Sequence, residues 1–256
     1  MMTFFGLNNF FCIVLTVLFS IFNPFCFAQK VGIVLSGGGA GGLAHIGVLK
    51  ALEEKNIKID YISGTSVGAL VGGLYASGYS PDDIQQLVLS DKFQRYAKGE
   101  LEEKNQFHYK KNSETASWFT YKFGFDSDLT TYIPTNLINS IPIDFYMMEL
   151  FTPASVIAKN NFDSLFIPFR CVAADIENKK SVVFKDGNLH TSIRASMTYP
   201  FYLKPISING KFLFDGGLYN NYPVDVMKND FNPDFIIGSI VTSNNPVPMM
   251  KIYISS

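Results

Sequence analysis

Apolar residues along this chain fall into two kinds of pattern, short unbroken runs and stretches spaced by three and four. Val31–Leu35 is apolar on both faces, as a central parallel strand is. Leu43–Glu54 places Ile46, Leu49 and Leu52 on one helical face, with Asn56 ending the helix. Asp60–Ser63 forms a second short strand, and Val67 to Ser77 reads as the helix that follows it. From Val31 to Ala76 the order is therefore strand, tight turn, helix, strand, tight turn, helix. Pro81 after Ser80 opens a further helix toward Leu89.

From Asp91 to about Thr130 the helical period is lost, and Gln106–Lys111 and Ser117–Phe123 alternate as a small hairpin does. Residues 91–130 are accordingly expected to be a β-rich insertion, either a lid or a solvated flap. Pro134–Leu150 reads as a helix with Leu137, Ile141, Phe145 and Met148 on one side and a kink at Pro142. Met147 and Met148 suit an apolar pocket, and suit core packing better. Pro168–Ala174 and Ser181–Phe184 read as strands, and Leu189–Ser196 as a short helix. Ile206–Ile208 and Lys211–Phe214 flank Asn209-Gly210, a hairpin turn signal, and Asp215 emerges at its end. Asp234–Val241 is expected to be the last strand. The fold expected is α/β, three layers with a mostly parallel central sheet. One domain spans 30–241, and 242–256 is a short C-terminal tail of a fragment or a minimal form.

Two glycine-rich turns carry the candidate chemistry. Gly64-Thr65-Ser66-Val67-Gly68 fits G-x-S-x-G, in which a serine sits on a strained turn between strand and helix. Gly64 and Gly68 are the small neighbours this turn needs, and the helix N-terminus behind it favours an oxyanion. Ser36-Gly37-Gly38-Gly39-Ala40-Gly41-Gly42 follows the first strand with its amides bare. Beside the elbow, the amides of Gly37, Gly38 and Gly39 would form an oxyanion hole. Read alone, Gly37-x-Gly39-x-x-Gly42 also matches a dinucleotide-binding fingerprint. That rival expects an acidic residue about 20 positions on, at the end of the second strand. Asp60 has the offset but opens that strand instead.

A serine nucleophile needs a base. Of the three histidines, His45, His108 and His190, none follows Asp215, and none sits in a convincing motif. A Ser66–Asp215 dyad removes the difficulty if burial raises the carboxylate's pKa. Asp175 also ends a strand and is the competing acid, read as a turn-former. No Gly-Lys-Ser/Thr phosphate loop and no close His/Cys pair occur, so neither cofactor nor metal is expected.

Ser36–Leu49 and Gly64–Gly68 resemble the two N-terminal blocks of the bacterial-type patatin-like phospholipases. Asp215-Gly216-Gly217-Leu218-Tyr219-Asn220-Asn221-Tyr222-Pro223-Val224 resembles that family's D-G-G block, and Ile193–Pro200 a fourth. The resemblance runs from about Val31 to about Ile240. It implies a lipid acyl hydrolase cutting carboxylic esters of phospholipids or related lipids, with Ser66 as nucleophile and Asp215 as general base. It departs at Gly41, where family members of this type often carry Arg or Lys. A dinucleotide-binding protein and a non-catalytic lipid-binding module stay open as alternatives.

Composition bounds the partners. The net charge of −1 encodes no strong pull toward nucleic acid. Aromatic residues are 15% of the 256, which suits a large core and a lipid-facing surface. Phe10 to Phe22 is nearly all apolar, too short for a bilayer span and suited to a signal peptide over 1–28, with Cys26-Phe27-Ala28 at the cleavage spacing. No Lys or Arg precedes it. The expectation is export to the periplasm, the outer membrane or the medium. Cleavage there leaves Cys171 as the single thiol, read as a buried strand residue.

Overall fold

The computed structural model describes residues 29–100, 136–241 and the backbone of 249–254. At its centre β1 (Val31–Leu35) pairs in parallel with β2 (Tyr61–Thr65) on one side and β7 (Phe235–Ile240) on the other. β2 pairs in parallel with β3 (Phe169–Asp175). These four strands are the parallel core expected; with neighbours on both edges and helices on both faces they are mainly apolar, and the buried Arg170 of β3 is paired with Asp163 and Asp230. The flanks are antiparallel. β4 (Lys180–Phe184) and β6 (Lys211–Asp215) pair with β3, and β5 (Ile206–Ile208) pairs with β6. Asn209 and Gly210 both have positive φ, 52° and 77°, as the two-residue turn joining β5 to β6 requires.

The sheet continues past the strand expected to be last. β8 (Met249–Ile254) runs antiparallel to β7, with Phe235 opposite Ile254 and Ile240 opposite Met249. It lies in the stretch read from sequence as a tail, because an isolated short apolar run carries no sign of its partner.

The two faces of the sheet are covered unequally. Ile33, Leu35 and Ile62 point into the larger cluster, which takes in α1 (Ala44–Glu54), α2 (Val67–Ala76), α3 (Pro81–Leu89), α5 (Ile141–Ile157) and α6 (Leu189–Ser196). Val34 points the other way, onto Met227 of α7 (Val224–Asp230) and Ile236. α2 is buried on nearly every side, which is why its residues are Val, Gly, Ala and Leu rather than an amphipathic mixture. α3 starts as its sequence indicates. Ser80 accepts from the Asp83 amide at 3.1 Å, and the Ser80 amide donates to Asp83 Oδ2 at 3.1 Å.

Two expectations between residues 91 and 157 are corrected. Asp91–Ala97 is a helix, α4, not the start of a β-rich insertion; Ser90 caps it by accepting from the Phe93 amide at 3.2 Å. The hairpin candidates 106–111 and 117–123 lie outside the described residues. α5 begins at Ile141, well after Pro134, so Pro142 occupies the first turn and causes no kink. Leu137, Ile141, Phe145 and Met148 are exposed, whereas Ile143, Tyr146, Met147, Leu150 and Phe151 face the core. α5 carries apolar residues on both sides, and spacing alone does not say which side is inside.

One feature of the sheet places the site. β4 and β6 overlap along β3 at Ala173–Asp175, so they lie on opposite edges of it; β4 and β2 overlap at Cys171 and Val172, so they too are on opposite edges. β2 and β6 therefore share one edge. β2 ends with Thr65 opposite Val172, and β6 ends with Asp215 opposite Ala173. The two strands arrive end to end from opposite directions, and Ser66 and Asp215 meet where they stop.

Candidate active site

Ser66 has φ 56° and ψ −125°, a conformation that a non-glycine residue keeps only when its surroundings fix it. The glycines around it are required by space. A Cβ at Gly64 would lie 2.5 Å from the Gly68 carbonyl oxygen, and one at Gly68 would lie 2.6 Å from the Ser36 oxygen. β2 can thus run straight into α2 with the glycine loop against the turn.

The Ser66 hydroxyl donates to Asp215 Oδ2 over 2.6 Å. The other carboxylate oxygen, Oδ1, accepts from the Gly217 amide at 2.8 Å. Both side chains are buried, Ser66 at 8% and Asp215 at 6% exposure. Burial pushes the Asp215 pKa above the ordinary carboxylate value and outweighs the hydrogen bonds from Ser66 and Gly217 that pull it down. Gly216 is a glycine because a Cβ there would overlap the Val172 carbonyl, which clears the approach of the Asp-Gly-Gly turn to β3.

Ser66 and Asp215 open onto a cleft of about 500 Å³ bordered by Gly38, Gly39, Tyr199, Gly217 and Leu218. Of the three loop amides expected to face it, that of Gly37 is committed elsewhere, donating to the Asn221 carbonyl at 3.0 Å. Gly38 and Gly39 border the cleft. Gly39 opens a short 3₁₀ turn, Gly39–Leu43, whose first amides have no partner within the turn. Gly39 itself sits at φ 54°, where a side chain would be strained.

The remaining candidates fall outside this cleft. Asp175 accepts from the amide and side chain of Asn178, at 3.0 and 2.8 Å, and shapes the turn into β4. His45 is fully buried beneath the glycine loop. His190 borders a small separate pocket with Asp144 and Arg194, and His108 lies outside the described residues. Asp60 precedes β2 and accepts from the Val31 amide at 3.0 Å, so the end of β2 holds the serine turn and no ribose-binding carboxylate. A larger apolar hollow of about 800 Å³ along α5 contains neither Ser66 nor Asp215. Among the described residues no cluster of His, Cys, Asp and Glu suits a metal ion. Ser196 and Thr198 had no role in the sequence reading. They reach the Ser66–Asp215 pair through its main chain, and their place in the Ile193–Pro200 block was the only sign.

A family model described as patatin-like phospholipase matches residues 33–228, a span that takes in both glycine turns, Ser66 and Asp215. The chain belongs to the patatin-like phospholipase family. Among its relatives, patatin-like phospholipase domain-containing protein ZK370.4 of Caenorhabditis elegans is 34% identical over 205 residues. Lysophospholipase NTE1 of Candida albicans is 32% identical over 200. Each alignment covers 78% of this chain, which spans only 13% and 12% of those two relatives. Among solved structures, VipD from Legionella pneumophila aligns over 75% of this chain and 46% of its own, with 12% identity and a TM-score of 0.43.

Proposed function

We propose that this patatin-like chain is a serine acyl hydrolase that cleaves carboxylic esters of phospholipids or lysophospholipids. The observation that carries the reading is the 2.6 Å hydrogen bond from the strained Ser66 to a buried Asp215 of raised pKa. A carboxylate whose proton affinity is raised is a better base for a serine hydroxyl than an ordinary aspartate. Asp215 takes the Ser66 proton as Oγ attacks the ester carbonyl. The amides of Gly38 and Gly39 hold the oxyanion, a contribution of about 3 kcal/mol per donor in comparable sites. Asp215 returns the proton to the leaving alcohol. Water then attacks the acyl-enzyme with Asp215 again as base, releasing fatty acid and restoring Ser66.

The substrate class is supported by family membership and by relatives that carry the names phospholipase and lysophospholipase. The cleft mouth fits it. Tyr199 and Leu218 border the cleft and are exposed. Such a rim suits contact with a lipid surface, where aromatic rings sit at the boundary. Export follows as a proposal from the apolar run Phe10 to Phe22, and N-terminal sequencing of the mature protein is expected to begin at Gln29.

The test is fatty-acid release from phospholipid and lysophospholipid micelles in excess chelator. Wild type is expected to be active, and Ser66→Ala and Asp215→Asn to lose about 10³-fold or more. Equal activity in Ser66→Ala would remove the elbow as the site. An inactive wild type would favour a non-catalytic lipid-binding module.

A further inference from the structure

One short segment holds the main chain of both reacting residues. α6 ends at Ser196, and the chain then turns toward β5. The Ser196 hydroxyl donates to the Val172 carbonyl at 2.6 Å. Its lone pairs are thereby left for the Ser66 amide, which donates to Ser196 Oγ at 2.9 Å. Two residues on, the Thr198 carbonyl accepts the Asp215 amide at 2.8 Å. The Thr198 hydroxyl donates to the Arg194 carbonyl at 2.9 Å and accepts from Arg194 Nη1 at 2.6 Å. Arg194 also donates through Nη2 to the Lys204 carbonyl at 3.0 Å and through Nε to Asp144 of α5. Ser196 and Thr198 are fully buried, and Arg194 is 3% exposed.

In this setting each bond is directional and hard to replace with water. Ser66 keeps its left-handed conformation only while its neighbours hold it, and its amide is gripped by Ser196. With φ held at 56°, where that amide points sets the Cα–Cβ direction, and the bond to Asp215 then sets the hydroxyl. Asp215 is held in the same way through Thr198. The Ser66 amide is also spent on Ser196, which leaves the oxyanion to the glycine loop.

We propose that Ser196 and Thr198 are positioning residues that set the alignment of Ser66 with Asp215 from a single turn, with Arg194 fixing the shape of that turn. This rests on the reading of Ser66 and Asp215 as the reacting pair. Neither residue touches substrate; both act through the main chain of the pair. A displacement of about 1 Å in such a pair costs up to about 100-fold in rate without changing how substrate binds.

The experiment measures kcat, KM and Tm for wild type, Ser66→Ala, Ser196→Ala, Thr198→Val and Thr198→Ser, using p-nitrophenyl butyrate as a soluble ester well below each Tm. Thr198→Val keeps shape and removes the hydroxyl, while Thr198→Ser keeps the hydroxyl. The expected result is that Ser196→Ala and Thr198→Val lose about 10- to 100-fold in kcat with KM within about twofold of wild type. Thr198→Ser should recover kcat to within about threefold, even if its Tm is lowered. Should Ser196→Ala and Thr198→Val keep wild-type kcat while Ser66→Ala is inactive, the positioning role is overturned and the dyad stands. The role is equally overturned if Thr198→Ser loses as much kcat as Thr198→Val. If Ser66→Ala stays active, or wild type cleaves no ester, the dyad reading itself fails and this proposal falls with it.

Discussion

His45 Nδ1 lies 2.7 Å from Ser239 Oγ, deep beneath the glycine loop. Its other nitrogen, Nε2, lies 2.8 Å from the Ser36 carbonyl, which can only accept. Nε2 therefore carries the proton, and Nδ1 accepts from the Ser239 hydroxyl. The neutral ring ties α1 to β7 and to the first residue of the loop. Burial lowers the His45 pKa, against a smaller opposing effect of the Ser36 carbonyl.

The sign of the pH effect follows. Between the lowered value and 6.5 the unfolded chain binds more protons than the folded one, so stability is lost as pH falls through that window. His45→Gln keeps a donor and an acceptor but cannot titrate. The Tm difference between wild type and His45→Gln is expected to move against wild type from pH 8 to pH 5.5. His45→Phe orphans two buried groups and should cost about 2–4 kcal/mol at pH 8 in denaturant melts, with the cost shrinking toward pH 5.5.

Much of this architecture was legible because local and tertiary requirements coincide. Gly64, Ser66 and Gly68 announce the elbow, since only small residues fit where β2 meets α2. Asn209-Gly210 announces its hairpin, because both positions need positive φ. The misreadings came where one pattern serves two purposes. Leu137, Ile141, Phe145 and Met148 have core spacing and are exposed, and Pro142 looked like a breaker while sitting at a helix start. In sequence Gly37 is indistinguishable from Gly38 and Gly39, yet its amide meets Asn221, a partner 184 residues away. Ser196 and Thr198 were invisible for the same reason, because their partners are main-chain groups brought close only by the fold.

The glycines of the two turns should differ sharply in tolerance. Gly68→Ala would drive a Cβ into the backbone carbonyls of Leu35 and Ser36, which cannot swing aside. It is expected to abolish ester hydrolysis and to lower Tm by at least about 5 °C. Gly41→Ala meets nothing closer than 4.0 Å and should leave Tm within about 1 °C. Parallel melts and ester assays of the two variants check this.

Asp215 should be a liability for stability. Its folded pKa is raised above 3.8, so between 3.8 and that raised value the folded chain binds more protons and stability falls as pH rises. At neutral pH the hydrogen bonds from Ser66 and Gly217 offset only part of the cost of the buried charge. Asp215→Asn is therefore expected to be inactive and to melt about 2–5 °C higher than wild type at pH 7.5, with the gap closing toward pH 4. A lower Tm for the variant at pH 7.5 would contradict this.

Cys171 should be chemically silent in the folded protein. It is fully buried in β3, and burial pushes its thiol pKa far up, so almost no thiolate is present. Iodoacetamide at pH 8 followed by peptide mapping is expected to leave it unlabelled in native protein and labelled in denaturant.

The end-to-end meeting of β2 and β6 on one edge of β3 makes β3 a ruler for the proposed dyad. Ser66 and Asp215 are 149 residues apart in sequence, and their spacing is measured out by the positions Val172 and Ala173. A slip of one residue by either strand would shift its end by about 3.3 Å and turn its side chains to the opposite face. A chain with every strand and helix formed but one register wrong would look native in a circular dichroism spectrum and cleave nothing. During refolding, catalytic competence should therefore return later than secondary structure, as a late readout of sheet alignment.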